Sequence, residues 1–88
     1  MKIEHITVEN QLGLHARPAS VIVKTASRFV SDIWLEKDGT QANAKSIMSV
    51  MMLAAANKST ITVKASGIDE KEAVAAIIDL FRQKFNEE

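Results

Sequence analysis

The feature that most constrains the fold is a strict alternation over residues 60–66. Ile61, Val63 and Ala65 share one parity, and every position between and around them is polar. Side chains alternate between the two faces of a strand, so this segment predicts a strand that is buried on one face only. Any fold for this chain must therefore contain a sheet that is covered on one side and open on the other.

Other segments predict partners for that strand. Residues 2–8 and 32–37 also alternate apolar with mostly polar side chains, although Ile3 breaks the parity of the first segment. The Asp38-Gly39 pair tolerates positive φ, so it predicts a tight hairpin turn into a short third strand over residues 40–43. The hairpin indicates that the sheet is antiparallel.

Three segments show helical spacing instead. One begins at Ala16, one spans residues 47–56, and one follows Asp69. In the order of the chain this gives βαββαβα. A four-stranded antiparallel sheet with three helices on one face is an open-faced β-sandwich of the α+β class, and that is the predicted fold.

The third helix has the clearest start signal. Asp69 and Glu72 have the spacing of a capping box, with Ile68 and Ala73 placed as a hydrophobic staple. The apolar stripe of this helix is predicted to contain Val74, Ile77, Ile78, Phe81 and Phe85.

Composition excludes several classes of function. The 88 residues suit a single domain over 1–88, and 11 basic residues balance 11 acidic ones, so a nucleic-acid partner is not expected. The absence of cysteine excludes disulfides and thiolate metal sites. The polar, alternating start resembles neither a signal peptide nor a membrane span. We expect a cytoplasmic protein without membrane insertion, metal or cofactor.

The only proline locates a candidate site. Pro18 fits a helix only in its first turn, which places His15 near the N-cap with Ala16 and Arg17 behind it. Gly13 provides a flexible approach to this helix start. A helix N-terminus and a guanidinium together favour an anion, and a neutral imidazole can attack a phosphoryl group. Alternatively, His15 only caps the helix and Arg17 is a solvated surface charge.

Two motifs carry a family resemblance. GLHARPAS at residues 13–20 resembles the active-histidine signature of the HPr family, the histidine-containing phosphocarriers of the bacterial phosphoenolpyruvate-dependent sugar phosphotransferase system. AKSIMSVMML at residues 44–53 resembles the regulatory-serine signature of the same family. The resemblance extends over essentially the whole chain, in length and in element order.

The resemblance implies a carrier, not an enzyme with turnover. His15 would be phosphorylated on Nδ1, with Arg17 as its charge partner. Enzyme I would supply the phosphoryl group and sugar-specific enzyme IIA components would accept it. The expected carrier is a monomer.

A second site is expected at Ser46, the predicted N-cap of the helix over residues 47–56. The resemblance implies regulatory phosphorylation there by an HPr kinase/phosphorylase, with a transcriptional regulator as a further partner. The helix is apolar almost all round, so Ile47, Met48 and Met51 are candidate partner-binding residues, with Met52 beside them. Val50, Leu53 and Ala54 are predicted to face inward.

The segment after this helix departs from the family pattern. Many members have a glycine close to position 54, whereas residues 54–59 contain none, so Asn57 is predicted to end the helix.

Two other functions remain open at this point. The chain could be a paralogue that serves a nitrogen-related phosphotransfer pathway, or a non-catalytic interaction module of the same fold in which His15 is incidental.

Overall fold

The alternating segments form one antiparallel sheet in the computed structural model, which describes residues 1–86. The strands are β1 (Lys2–Thr7), β2 (Asp32–Lys37), β3 (Thr40–Asn43) and β4 (Thr60–Ser66), in the spatial order β1-β4-β2-β3. The helices are α1 (Ala16–Ala26), α2 (Ile47–Met52) and α3 (Glu70–Arg82). The predicted open-faced β-sandwich with βαββαβα order is confirmed.

Strand β4 is central and sets the register. Val63 lies opposite Glu4 of β1 on one side and Leu35 of β2 on the other. Ile61, Val63 and Leu35 are completely buried on the face that the helices cover. The other face is mostly polar, and there the Lys64 ammonium lies 2.7 Å from a Glu36 carboxylate oxygen. The one-sided burial predicted from residues 60–66 is thus present.

The hairpin between β2 and β3 uses the predicted turn. Asp38 and Gly39 have φ values of +51° and +83°, the combination that two-residue hairpin turns of this hand require.

Helix α3 begins where the sequence predicts, but by a different mechanism. Asp69 is the N-cap, yet its carboxylate does not bond to its own helix. It accepts hydrogen bonds from the N–H groups of Val30 and Ser31 and from the Ser31 hydroxyl. Ile68 is 94% exposed. The predicted capping box and staple are therefore wrong, because Asp69 joins α3 to the segment before β2.

The end of α3 also differs from the prediction. The helix ends at Arg82, whereas Phe85 was predicted to continue its stripe. Phe85 reaches the core through a turn, Lys84–Asn86, in which all three residues have positive φ. Its ring packs edge-on against Phe81, with centroids 5.0 Å apart.

Helix α2 is shorter than predicted. It ends at Met52 and not near the predicted Asn57. Ala54, with φ of +51°, is the residue with a left-handed backbone that follows the helix. Val50 and Leu53 are buried as predicted, but Ala54 is exposed and Ala55 is buried instead. Lys37 Nζ lies 3.4 and 3.5 Å from the carbonyl oxygens of Leu53 and Ala54, so a lysine from the hairpin supports this helix end.

Within residues 1–86, no helix has the length and apolar character needed to cross a membrane.

Candidate functional site

His15 lies at the N-cap of α1, as Pro18 indicates. Its backbone is extended, with φ of −77° and ψ of −170°, and its carbonyl accepts the first helical hydrogen bond from Ala19 N at 3.1 Å. The side chain does not cap the helix through a hydrogen bond, and the residue is partly exposed. The imidazole therefore stands at the entrance of the helix and is partly accessible to solvent.

The first turn of α1 gives this position a positive character. Pro18 is buried within the turn, and Ala16 and Arg17 before it are exposed. The first N–H groups of a helix point toward the N-cap, because within the helix they have no acceptor four residues earlier. Together with the helix dipole, they favour negative charge beside His15.

Arg17 reaches across to the end of the described chain. Its Nη1 donates a hydrogen bond to the carbonyl of Phe85 at 2.7 Å. This holds the guanidinium against the turn after α3. The contact was not predicted, since no sequence signal shows that a backbone carbonyl 68 residues away turns toward this arginine.

Gly13 serves close packing as well as flexibility. Its φ is +67°, and a Cβ at this position would lie only 2.3 Å from the carbonyl oxygen of Ala55. The next residue, Leu14, donates its N–H to that same oxygen at 2.9 Å. Glycine is therefore needed at position 13 for two reasons. It allows the positive φ before the helix, and it leaves room for the backbone of the segment after α2.

Two asparagines make contacts beside this glycine that the sequence did not predict: Asn10 was not singled out, and Asn57 was predicted only to end α2. Asn57 Nδ2 donates to the carbonyls of Glu9 and Asn10, both at 3.2 Å. Asn10 is 1% exposed, and its Nδ2 donates to Gly13 O at 2.7 Å. An asparagine three residues before the Gly13-Leu14 pair that leads to His15 is the signal that could have drawn attention to this loop.

Ser46 is the N-cap of α2, as predicted. Its Oγ accepts a hydrogen bond from Ser49 N at 3.3 Å, and the residue is partly exposed. The neighbouring Lys45 extends away, because its Nζ donates to Phe29 O at 2.8 Å. The hydroxyl of Ser46 thus lies at a helix start, with its nearest lysine in sequence bonded to another part of the molecule.

The surface of α2 is apolar. Met48 and Met52 are 71% and 76% exposed, and Ile47 and Met51 are 42% and 40% exposed. We call these four residues the α2 patch. Helices α1 and α2 contact each other, so the patch and the start of α1 belong to adjoining elements. Exposed apolar patches of this kind usually mark contacts with other proteins.

The arrangement suits anion chemistry without a metal ligand set. Among residues 1–86, no three histidine or carboxylate side chains are grouped so that they could hold a metal ion. The available groups are an imidazole, the N–H groups of a helix start and a guanidinium. These can form a nitrogen–phosphorus bond and stabilise the negative charge that it brings.

Comparison with known proteins gives consistent findings. Residues 3–83 match the family described as PTS HPr component phosphorylation site. The phosphocarrier protein HPr of Xylella fastidiosa strain Temecula1 is 47% identical over 87 residues, which cover 98% of each protein.

Solved structures give the same result. The HPr crystal structure from Thermoanaerobacter tengcongensis superimposes with a TM-score of 0.96 at 49% identity, covering 100% of this chain and 99% of that one. A crystal structure of the Bacillus subtilis catabolite repression protein Crh, described as a dimer with a swapped domain, gives a TM-score of 0.77 at 42% identity, covering 96% and 97%.

Proposed function

This chain belongs to the HPr family of phosphotransferase-system phosphocarriers, and from that membership we propose that His15 accepts a phosphoryl group from phosphorylated enzyme I and passes it to sugar-specific enzyme IIA. Members of the family carry phosphate and are not enzymes. The observation that carries the proposal is the position of the His15 side chain, which lies at the start of α1 without capping it.

The transfer needs no cofactor. A nitrogen of neutral His15, Nδ1 by family resemblance, attacks phosphorus while the bond from phosphorus to enzyme I breaks. The proposal gives the N–H groups at the start of α1 and the Arg17 guanidinium the task of stabilising the transferred charge. Transfer to enzyme IIA reverses these steps, with His15 as the leaving group.

Arg17 is the proposed charge partner. In the unphosphorylated protein its guanidinium is bonded to the neutral carbonyl of Phe85. A phosphate dianion is a stronger acceptor for a guanidinium than a neutral carbonyl, and it can accept two hydrogen bonds. We expect Arg17 to exchange Phe85 O for phosphoryl oxygens when His15 is phosphorylated.

The chain contains two histidines, which gives a matched control. Incubation with phosphoenolpyruvate and enzyme I should add one acid-labile phosphate, located on His15 by mass spectrometry. His15→Ala should abolish the addition and His5→Ala should leave it intact, because the His5 ring bonds to Thr62 Oγ1 on the open face of the sheet. Phosphate on His5, or none on the wild type, would refute the proposal.

Four other outcomes are tested separately. Phosphorylation only by the first enzyme of a nitrogen-related pathway would identify the paralogue. Normal sugar uptake and partner binding by His15→Ala would favour a non-catalytic interaction module. Sedimentation would test the proposed monomer against a dimer, and fractionation would test the proposed cytoplasmic location.

We further propose that Ser46 is a regulatory phosphorylation site for an HPr kinase/phosphorylase, and that the α2 patch binds the partners. Phosphate on Ser46 would add a charge of about −2 next to the apolar Ile47 and Met48. This charge should weaken docking to enzyme I, and it would create a form that a transcriptional regulator could recognise.

Kinase assays test the regulatory proposal. With ATP and the kinase, Ser46→Ala should lose all modification while Ser49→Ala, one helical turn away, keeps it. Modification that persists in Ser46→Ala would contradict the assignment.

A further inference from the structure

Two loops meet directly before His15. Residues 8–14 lead from β1 to His15, and residues 53–59 connect α2 to β4. Their backbones are joined at both ends of the contact. Lys58 N donates to Val8 O at 2.7 Å, and Leu14 N donates to Ala55 O at 2.9 Å. The approach to His15 is therefore built from two distant parts of the sequence.

Asn57 joins the loops through its side chain. Its amide nitrogen lies 3.2 Å from both Glu9 O and Asn10 O, so one group contacts two successive carbonyls of the opposite loop. An amide NH₂ has two hydrogens, one for each acceptor. The side chain thus fixes the orientation of the peptide units on either side of Asn10.

Asn10 extends this contact toward the site. Its own carbonyl also accepts from Gly13 N at 3.2 Å, and its side chain donates to Gly13 O at 2.7 Å. Both the N–H and the carbonyl of Gly13 are therefore hydrogen-bonded to Asn10. Gly13 precedes Leu14, whose N–H is held by Ala55, and His15 follows at once.

We propose that Asn57 is a positioning residue for phosphoryl transfer. Acting through Asn10 and Gly13, it fixes the backbone that enters α1, so that the His15 imidazole and the first N–H groups of the helix converge on one phosphoryl group. This role rests on the proposed carrier function. It assigns to the segment after α2 a part in the chemistry in addition to its part in the fold.

The effect is expected in the chemical step more than in docking. Asn57 is not part of the α2 patch, so its replacement should not disturb docking. A misplaced reacting group, in contrast, can lower the rate of the chemical step by one or two orders of magnitude. Replacing Asn57 should therefore lower kcat for phosphorylation by enzyme I and leave KM nearly unchanged.

Asn57→Ala and the isosteric Asn57→Asp both remove the amide donor. The matched control is Asn43→Ala, which removes an asparagine whose Oδ1 accepts from Lys45 N, at the end of β3. Initial rates at varied carrier concentration give kcat and KM, at a temperature where circular dichroism shows each variant to be folded. The lifetime of phospho-His15 after removal of enzyme I gives a readout without any partner.

For both Asn57 variants we expect kcat to fall about tenfold, KM to stay within about twofold, and phospho-His15 to hydrolyse several times faster. Asn43→Ala should match the wild type. Rates and lifetimes that are equal in Asn57→Ala and Asn43→Ala would overturn this inference alone. A wild type that accepts no phosphate on His15 would overturn the carrier function, and the positioning role with it.

Discussion

Ala54 holds a backbone conformation that a residue with a Cβ rarely adopts. Its φ of +51° places it in the left-handed region, at the end of α2. That conformation costs an L-residue roughly 1–2 kcal/mol relative to the right-handed one, and glycine escapes the cost. We predict that Ala54→Gly raises the free energy of unfolding by about 0.5–1 kcal/mol, after allowance for the more flexible unfolded chain.

The neighbouring alanine is the control for Ala54. Ala56 is also exposed but does not have positive φ, so Ala56→Gly should lower the free energy of unfolding by about 0.5–1 kcal/mol. Urea unfolding measures both variants. Two changes of the same sign would mean that backbone conformation does not govern this segment.

Gly13 is expected to be the least replaceable glycine. An alanine there would combine left-handed strain with a Cβ placed 2.3 Å from Ala55 O, and the obstacle is backbone that cannot turn aside. We predict that Gly13→Ala costs roughly 2–4 kcal/mol in unfolding free energy and slows phosphorylation of His15.

Gly39 separates the two causes. It also has positive φ, at +83°, but nothing lies within 4 Å of an added Cβ. Gly39→Ala should therefore cost only about 1–2 kcal/mol, the conformational part, and leave phosphorylation unchanged. Equal losses for the two variants would contradict the role given to the contact with Ala55.

At the scale of elements, Asp69 connects α3 to the segment between α1 and β2. The hydroxyl of Ser31, followed by the N–H groups of Val30 and Ser31, holds the pKa of Asp69 below its ordinary value. The N–H of Gly67 and the N-terminal ammonium group likewise lower the pKa of Glu70. Both carboxyls are therefore more acidic in the folded protein than in the unfolded chain.

The sign of the pH dependence follows from these shifts. A carboxyl with a depressed folded pKa stabilises the fold fully above its unfolded pKa, about 4 for Asp and Glu. That contribution should disappear as the pH falls from about 4 through the lower folded pKa values. Thermal unfolding between neutral and acid pH measures it.

Asp69→Asn should lower the stability of the fold at neutral pH. The further decrease in stability between neutral and acid pH should then be smaller than in the wild type. Glu70 keeps part of the dependence. Asp79→Asn is the control, because that carboxylate accepts a hydrogen bond from Gln83 Nε2 at the end of its own helix, and it should leave the slope unchanged. An Asp69→Asn variant with the full acid slope would show that the bonds to Ser31 and Val30 do not set it.

The elements themselves were largely predictable because their signals are local. Alternation predicted three of the strands, the Asp38-Gly39 turn predicted β3, and Pro18 predicted the start of α1. Two wrong predictions, the capping box of α3 and the end of α2, have a common cause. Asp69 bonds to residues 38 and 39 positions away in place of its own helix, and the end of α2 is supported by Lys37 from the hairpin. Such bonds depend on the assembled fold, which local patterns do not encode.

At the scale of the whole molecule, the site likewise combines residues that local motifs predict with contacts that only the assembled fold creates. His15, Arg17 and Ser46 belong to short motifs whose chemistry can be recognised in the sequence. Asn57 contacts Asn10 across 47 positions, so only the finished sheet brings that pair together.

Recognition by partners should depend on where an exposed apolar side chain lies. Met48 is 71% exposed in the α2 patch, and Ile68 is 94% exposed between β4 and α3, outside that patch. We predict that Met48→Asp raises KM for enzyme I about tenfold or more, as loss of a central interface residue does. Ile68→Asp should leave KM unchanged.

Both changes are at the surface, so each should alter unfolding free energy by no more than about 0.5 kcal/mol. Titrations of phosphorylation rate against carrier concentration provide the comparison. Equal KM values for Met48→Asp and the wild type would remove the α2 patch from the proposed interface.

The strand order has a consequence for biosynthesis. Because β4 lies between β1 and β2, the sheet remains incomplete until residues 60–66 have left the ribosome. Before that point only the β2–β3 hairpin has its partner, and β1 has none. The two loops that meet before His15 are brought together when β4 pairs with β1. A nascent chain would thus lack the finished approach to His15 until residues 60–66 had emerged.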